Sequence, residues 1–369
     1  MNHGFWSQLK KPFFALAPMA DVTDAAFRQI IVKYGKPDVL WTEFVSADGL
    51  AHPIGREKLM RDLSYIEGER PIVAQLFSSN PENMKSAAKL CAELGFDGID
   101  INMGCPDRTI EKQGCGAAMI RTPDIAATII QAAKDGIAES GKSIPVSVKT
   151  RIGYGSNEME TWLPFLLRQN IVALTVHLRT RKELSNVPAH WEYMQRIVEI
   201  RNDISPETLI LGNGDVVDMN DARKKVTETG CDGIMIGRAI FGNPFLFSDR
   251  EKKSPEQSIF RWRVEGRDLF QSFLFRIGII KKNKYWLRHT ADIPLKKKLE
   301  VMIEHAELFE KLLGDIKNFA IIKKHFKAYA NGFPGAKELR IKLMDTSCTA
   351  DVRTVVDEFL TGRQKTGNV

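Results

Sequence analysis

Eight short apolar runs, separated by segments of helical periodicity, constrain this chain more than any other feature of its sequence. They lie at residues 13–17, 39–43, 71–77, 98–102, 145–149, 172–177, 208–212 and 231–236. Most lack strict alternation, as expected of parallel strands buried on both faces. Helical patterns occupy residues 23–34, 81–94, 123–138, 158–169, 190–200 and 218–229, with Asp218 placed as an N-cap and Gly95 and Gly230 as C-terminal glycines. Residues 46–70 are less regular. Eight strands alternating with helices over about 240 residues predict an α/β fold, a (β/α)8 TIM barrel. A doubly wound open sheet is the competing architecture. It usually needs a glycine-rich turn after the first strand, and Ala17-Pro18-Met19-Ala20-Asp21 is nothing of the kind.

The pattern changes at Glu251-Lys252-Lys253-Ser254-Pro255, a charged stretch suited to a linker. Beyond it the chain is almost wholly helical, with amphipathic stretches at 299–309, 316–329 and 352–360 and a break at Asn331-Gly332-Phe333-Pro334-Gly335. The expected organisation is a barrel over 1–250 and a small C-terminal all-helical domain, 251–369, packed on it. Charge divides the same way. Residues 1–250 hold 29 basic and 31 acidic side chains; residues 251–369 hold 24 and 15, an excess of +9 within a chain of net charge +7. An excess confined to one region suggests a surface for a polyanion, against the plainer reading of a solvated helical face.

No apolar run of about 18 residues is present, so no membrane span is expected. The first eleven residues lack the apolar core of a signal peptide, and a cytoplasmic location follows as the default. Five cysteines, at 91, 105, 115, 231 and 348, form no CxxC pair, which favours neither disulfides nor a zinc site. Cys91 and Cys231 sit in core-like patterns.

A barrel concentrates its chemistry at the C-terminal ends of its strands. Those ends carry Pro18, Met19 and Ala20; Gln75; Asn102 and Cys105; Lys149 and Arg151; His177, Arg179 and Arg181; Asn213, Gly214 and Asp215; Gly237 and Arg238. Cys105 stands out, because Gly98-Ile99-Asp100-Ile101-Asn102-Met103-Gly104-Cys105-Pro106 is a buried strand ending in a lone thiol pinned by a proline. The glycines after the seventh and eighth runs allow backbone N–H groups to close on a phosphate, and Arg238 adds charge. Lys149 at a buried strand end requires an anionic partner. A lone histidine such as His177 is usually a core residue; here it joins Gln75, Asn102 and Lys149 around one mouth.

In this order and spacing the chain resembles the flavin-dependent tRNA-dihydrouridine synthases. The matching segments are Ala17-Pro18-Met19-Ala20-Asp21-Val22-Thr23-Asp24, Ala74-Gln75-Leu76, Asp100 to Pro106, Val148-Lys149-Thr150-Arg151, Asn213-Gly214-Asp215 and Gly237-Arg238, with Lys324-His325-Phe326 and Gly332-Phe333-Pro334-Gly335-Ala336 in the helical part. Three places depart from the family. Leu178 follows His177 where a glycine is common, residues 184–191 replace an aromatic-and-glycine stretch, and Asp107 and Arg108 stand where a lysine is common.

The resemblance implies FMN as cofactor and NADPH or NADH as electron source, with hydride passing from flavin N5 to uracil C6 and a proton from Cys105 to C5. A free thiol is roughly 97% protonated at pH 7, so the acid role needs no special tuning. It also implies that Gln75 meets the flavin's pyrimidine edge, that Lys149 lies beside N1–C2=O, and that Pro18, Met19 and Ala20 supply backbone contacts. Asn213, Gly214, Asp215, Gly237 and Arg238 would hold the ribityl and phosphate, with His177 alongside. Asn102, Arg151 and Arg179 are candidates for the target uridine and its phosphate. The partner is tRNA, gripped through Lys281, Lys282, Lys284, Lys296, Lys297, Lys298, Lys323, Lys324 and Arg340 as a set; the chain is expected to be a monomer that holds no metal. Three readings compete: a flavin barrel acting on a free pyrimidine, an RNA-binding protein without chemistry, and a nucleophilic Cys105 served by His177 as base.

Overall fold

Parallel strands joined by long connections need a helix on each return, and the sequence supplies one for nearly every strand. In a computed structural model that describes residues 2–249 and 293–365, the eight runs form β1 (Phe13–Leu16), β2 (Leu40–Ser46), β3 (Ile72–Phe77), β4 (Gly98–Met103), β5 (Val146–Arg151), β6 (Ala173–His177), β7 (Leu209–Asn213) and β8 (Gly233–Ile236). All pair in parallel, β1 beside β8 and each other strand beside its sequence neighbours. An isolated bridge, Ala15 to Val39, closes the ring between β1 and β2, with Asp38 N–H donating to Phe14 O at 2.8 Å. The expected TIM barrel is therefore the fold. Its lower interior is apolar, filled by Phe13, Trp41, Val73, Leu211 and Met235, and Trp6 plugs the bottom from a 3-10 turn at Gly4–Gln8.

The helices on the return paths are α1 (Ala25–Gly35), α2 (Ala47–Ala51), α3 (Pro53–Asp62), α4 (Pro81–Glu93), α5 (Arg108–Lys112), α6 (Pro123–Glu139), α7 (Met159–Leu167), α8 (Met194–Ile204) and α9 (Met219–Thr229). Their starts are set by side chains that accept otherwise orphaned N–H groups: Asp24 caps α1, Asn80 caps α4 and Asp218 caps α9. Gly230 ends α9 at φ +71°, a conformation that suits glycine. The irregular 46–70 region becomes α2 and α3 on the C-terminal side of β2. The pattern over 190–200 starts as a 3-10 turn, Trp191–Tyr193, before α8.

The C-terminal region contains α10 (Leu295–Leu313), α11 (Lys323–Tyr329), α12 (Ala336–Asp345) and α13 (Thr349–Lys365). It packs on the barrel through α1, whose Ala26 and Ile30 join Val301, Met302, Phe309 and Phe326 in one core. Two expectations need correction here. The helix read over 316–329 is only a 3-10 turn, Phe319–Ile321, and the short α11. Lys298, counted among the exposed cations, is buried and donates to Asn331 O at 3.2 Å, because its position lies on the inward face of α10. Lys281, Lys282, Lys284 and the proposed linker at 251–255 lie outside the described residues.

His305 and His325 sit side by side under α1, ring centroids 4.7 Å apart, against Phe27. Both are fully buried, and none of their ring nitrogens has a hydrogen-bond partner among the described residues. Burial holds His305 at about 3, and burial together with the neighbouring His305 and Lys324 holds His325 far below the usual histidine range. An unfolded histidine takes up a proton near pH 6.5 and these do not, so the unfolded state binds more protons as pH falls below that point. Stability should then drop by about 1.4 kcal/mol per pH unit for each ring. Urea unfolding at pH 7 and pH 5 is expected to show this slope in the native protein and its loss in the His305→Leu/His325→Leu double variant; identical slopes would refute the assignment.

Candidate active site

Register places the polar strand ends on neighbouring strands. Gln75 lies beside Asp100, Asn102 beside Lys149, Arg151 beside His177 and His177 beside Asn213. The apolar lower barrel thus gives way to a polar upper tier, and Asp100 is its deepest member. Its buried carboxylate accepts from Ser147 Oγ and from Gln75 Nε2, both at 2.6 Å. Burial pushes its pKa up to about 6, while Ser147, Gln75 and the nearby Lys149 favour the ionised form.

Asp100 fixes the direction of a relay. A carboxylate can only accept, so Gln75 must turn its NH2 towards it and its oxygen away. That oxygen accepts from Asn102 Nδ2 at 3.1 Å, which leaves Asn102 Oδ1 facing the next loop. There it accepts the N–H groups of Gly104 at 3.1 Å and Cys105 at 2.9 Å. The Cys105 carbonyl accepts from Ala117 N–H at 2.9 Å, and a side chain at Gly116 would come within 2.7 Å of that oxygen. Arg151 ties the same loop to β5, donating Nε to Gly104 O at 2.8 Å. The thiol is half-buried, and burial raises its pKa above the ordinary value, so it remains protonated at neutral pH.

A second cluster forms where β6, β7 and β8 end. Asp215, at φ +51°, receives the guanidinium groups of Arg179 and, at 2.7 Å, Arg238, together with Ala189 N–H at 2.9 Å. These cations and hydrogen bonds hold its carboxyl below the usual range despite burial. Two guanidiniums on one carboxylate leave a net positive corner. Gly214 has φ +127°, and a side chain there would lie 2.8 Å from Ala189 Cβ, so only glycine fits. The indole of Trp191 donates to Gly214 O at 2.8 Å. Arg179 Nη1 lies 3.0 Å from His177 Nε2; since a guanidinium only donates, that nitrogen accepts and the imidazole is neutral. Burial and four nearby cations keep it so. No hydrogen bond joins His177 to Cys105 among the described residues, which gives the nucleophile reading no support.

Between the clusters, half-buried Lys149 donates to Asn213 Oδ1 at 3.3 Å. No carboxylate lies within ion-pair distance of it among the described residues, and burial, with Arg151 nearby, lowers its pKa to about 8. Asn213 Nδ2 is spent on Met235 O at 2.8 Å. The β1 loop closes on itself, Met19 N–H donating to Thr23 Oγ1 at 3.0 Å, and an added Cβ at Gly237 would sit 3.7 Å from Ala17 and Met19. Pro18 is buried, Met19 half-buried and Ala20 exposed.

The structure therefore gathers Gln75, Asn102 and Cys105 into one network, His177, Arg179, Gly214, Asp215 and Arg238 into another, and sets Lys149 with Asn213 between them. Arg179 is wholly buried, with Nε on Val187 O and its other nitrogens on His177 and Asp215. Asp100 received no role from the sequence, although an acid amid Ile99 and Ile101 was a visible signal.

The family model described as dihydrouridine synthase (Dus) matches residues 15–363. A probable tRNA-dihydrouridine synthase of Staphylococcus aureus (strain COL) is 39% identical over 361 residues, covering 97% of this chain and 96% of that protein. A probable tRNA-dihydrouridine synthase 2 of Bacillus subtilis (strain 168) is 38% identical over 361 residues, covering 97% of each.

A thiol held neutral by burial should alkylate slowly. The rate of iodoacetamide labelling at Cys105, followed by peptide mass spectrometry, is expected to keep rising beyond pH 9; a plateau below pH 8 would show a thiolate instead.

Proposed function

The chain belongs to the dihydrouridine synthase family, and from that premise we propose that it is a tRNA-dihydrouridine synthase that reduces the C5=C6 bond of specific uridines. The observation that carries the reading is a protonated thiol on a loop locked by the Asp100–Gln75–Asn102 relay, near a half-buried lysine with no carboxylate in ion-pair distance among the described residues. That lysine, the positive corner at Asp215 and the glycine-only backbone at Gly214 fit a flat anionic ring bearing a phosphate tail.

FMN, reduced by NADPH or NADH, would supply a hydride to C6 of the uracil when bound. The protein's residues do the rest. Lys149 would offset the negative charge that a reduced flavin carries. Gln75 keeps one N–H and one lone pair for the pyrimidine edge, and Pro18, Met19 and Ala20 offer backbone groups. Asn213, Gly214, Asp215, Gly237 and Arg238, with neutral His177, would hold the ribityl and phosphate. Cys105 delivers its proton to C5, so hydride and proton together saturate the bond, and solvent reprotonates the thiolate. Asn102 retains one amide hydrogen for the uridine. Arg151 gives Nη1 to Thr180 O and Leu184 O and keeps Nη2 for a substrate phosphate. Arg179 acts from below, through His177 and Asp215.

The target base must leave its stack, at a cost of a few kcal/mol. Phosphate contacts by the basic region after residue 250 offset that cost, through shape rather than sequence. Lys296, Lys297 and Lys324 remain as contributors; Lys323 donates to Met344 O at 2.6 Å and Arg340 to Ala330 O at 2.9 Å, so both also brace the helices.

Two outcomes are expected. Cys105→Ala retains bound flavin but loses turnover on tRNA by about a hundredfold or more; near-normal turnover removes the thiol from the mechanism. Dihydrouridine disappears from particular tRNA positions when the gene is deleted, and tRNA affinity falls steeply with salt. Unchanged tRNA in the deletion strain would refute the assignment.

A further inference from the structure

The β1 loop that presents Pro18 to Ala20 is not held by the barrel alone. After Ala20, Asp21 adopts φ +54°, a left-handed conformation that costs a non-glycine residue about 1 kcal/mol. Its N–H donates to Glu43 Oε1. Glu43 reaches the loop because β2 carries a bulge: Trp41 pairs with Val73 but Phe44 with Gln75, so one extra residue is fitted at Thr42-Glu43. Bulges near functional sites re-aim side chains in this way. Thr42 uses its hydroxyl to accept Gln75 N–H at 3.1 Å, leaving the Glu43 carboxylate directed at the β1 loop.

Glu43 is buried, and its second oxygen accepts from Lys317 Nζ at 2.8 Å. Lys317 belongs to the turn after α10, in the helical region. It also pairs with Asp62 of α3 at 3.0 Å, and its neighbour Asp315 pairs with Arg61 at 2.7 Å. Asp24, the N-cap of α1, is buried close by. One ammonium thus serves a site crowded with carboxylates, and it favours the ionised form of Glu43 against burial, which pushes that carboxyl up to about 7.

The geometry points to Glu43 and Lys317 as positioning residues that make the helical region part of the flavin site, through Lys317 to Glu43 to the Asp21 N–H. The consequence is that this region does more than grip tRNA. Any shift of the 314–317 turn is transmitted to the loop that contacts the cofactor. The inference rests on the flavin reading above.

The test is FMN affinity of the full-length apoprotein, measured by quenching of flavin fluorescence, with thermal unfolding recorded for every variant. Lys317→Met is expected to weaken FMN binding by about tenfold and Lys317→Arg to restore it. Glu43→Gln keeps one amide oxygen for the Asp21 N–H but turns its NH2 towards Lys317, so it should lose affinity as Lys317→Met does, and Glu43→Met should match both. In the Glu43→Met background, Lys317→Met should add nothing, the non-additivity of one linked unit. Lys33→Met serves as control, since it removes the Lys33–Glu304 pair, another tie between α1 and α10, without touching Glu43. It should leave FMN affinity unchanged. Wild-type affinity in folded Lys317→Met protein, or an equal loss in Lys33→Met, would overturn the proposal. Failure of the wild-type protein to bind FMN at all would overturn the functional reading beneath it.

Discussion

A carboxylate sealed inside a dry barrel governs the chemistry above it. Asp100 cannot donate and is walled off from water, so every polar neighbour must turn a hydrogen towards it. Ser147 and Gln75 comply, and their compliance determines which way Gln75 and then Asn102 point. The result reaches the backbone of Gly104 and Cys105, two residues beyond the strand. A loop that could have been mobile is thus oriented by a charge on the neighbouring tier of the same strand.

The same logic recurs at the other corners. Asp215 gathers Arg179, Arg238 and the Ala189 N–H, and Glu43 gathers the Asp21 N–H and Lys317. In each case one acid organises several donors, whereas Lys149 has no carboxylate partner among the described residues. Three acids that face inward, rather than the cations that face the ligand, give the site its shape. Substrate binding then meets groups already in place, which lowers the reorganisation needed at the moment of reaction.

Much of this was legible in the sequence. The eight strands fall within a few residues of their expected bounds, because apolar runs buried on both faces leave an unambiguous mark. The strand-end residues converge as expected, because the barrel fold places them on one face. What escaped was set by neighbours rather than by local pattern. Glu43 lies in an apolar strand whose bulge no periodicity announces. Lys317 sits in a turn and meets Glu43 across 274 residues of chain. Arg179 reads as a contact for the target uridine and its phosphate but is wholly buried, because it follows β6 and turns back onto His177 of that strand and onto Asp215 beyond β7. Lys298 reads as one of three adjacent lysines, and only the packing of α10 shows that it turns inward.

The most direct measurement of the central claim is the oxidation of pre-reduced, flavin-loaded protein on mixing with unmodified tRNA, comparing wild type with Asp100→Asn. The substitution keeps shape and removes the charge that orients the relay. The account requires oxidation by tRNA to slow about a hundredfold beyond any change in flavin binding or reduction, the scale of a misplaced reacting group. Equal rates of oxidation by tRNA in the two proteins would contradict it.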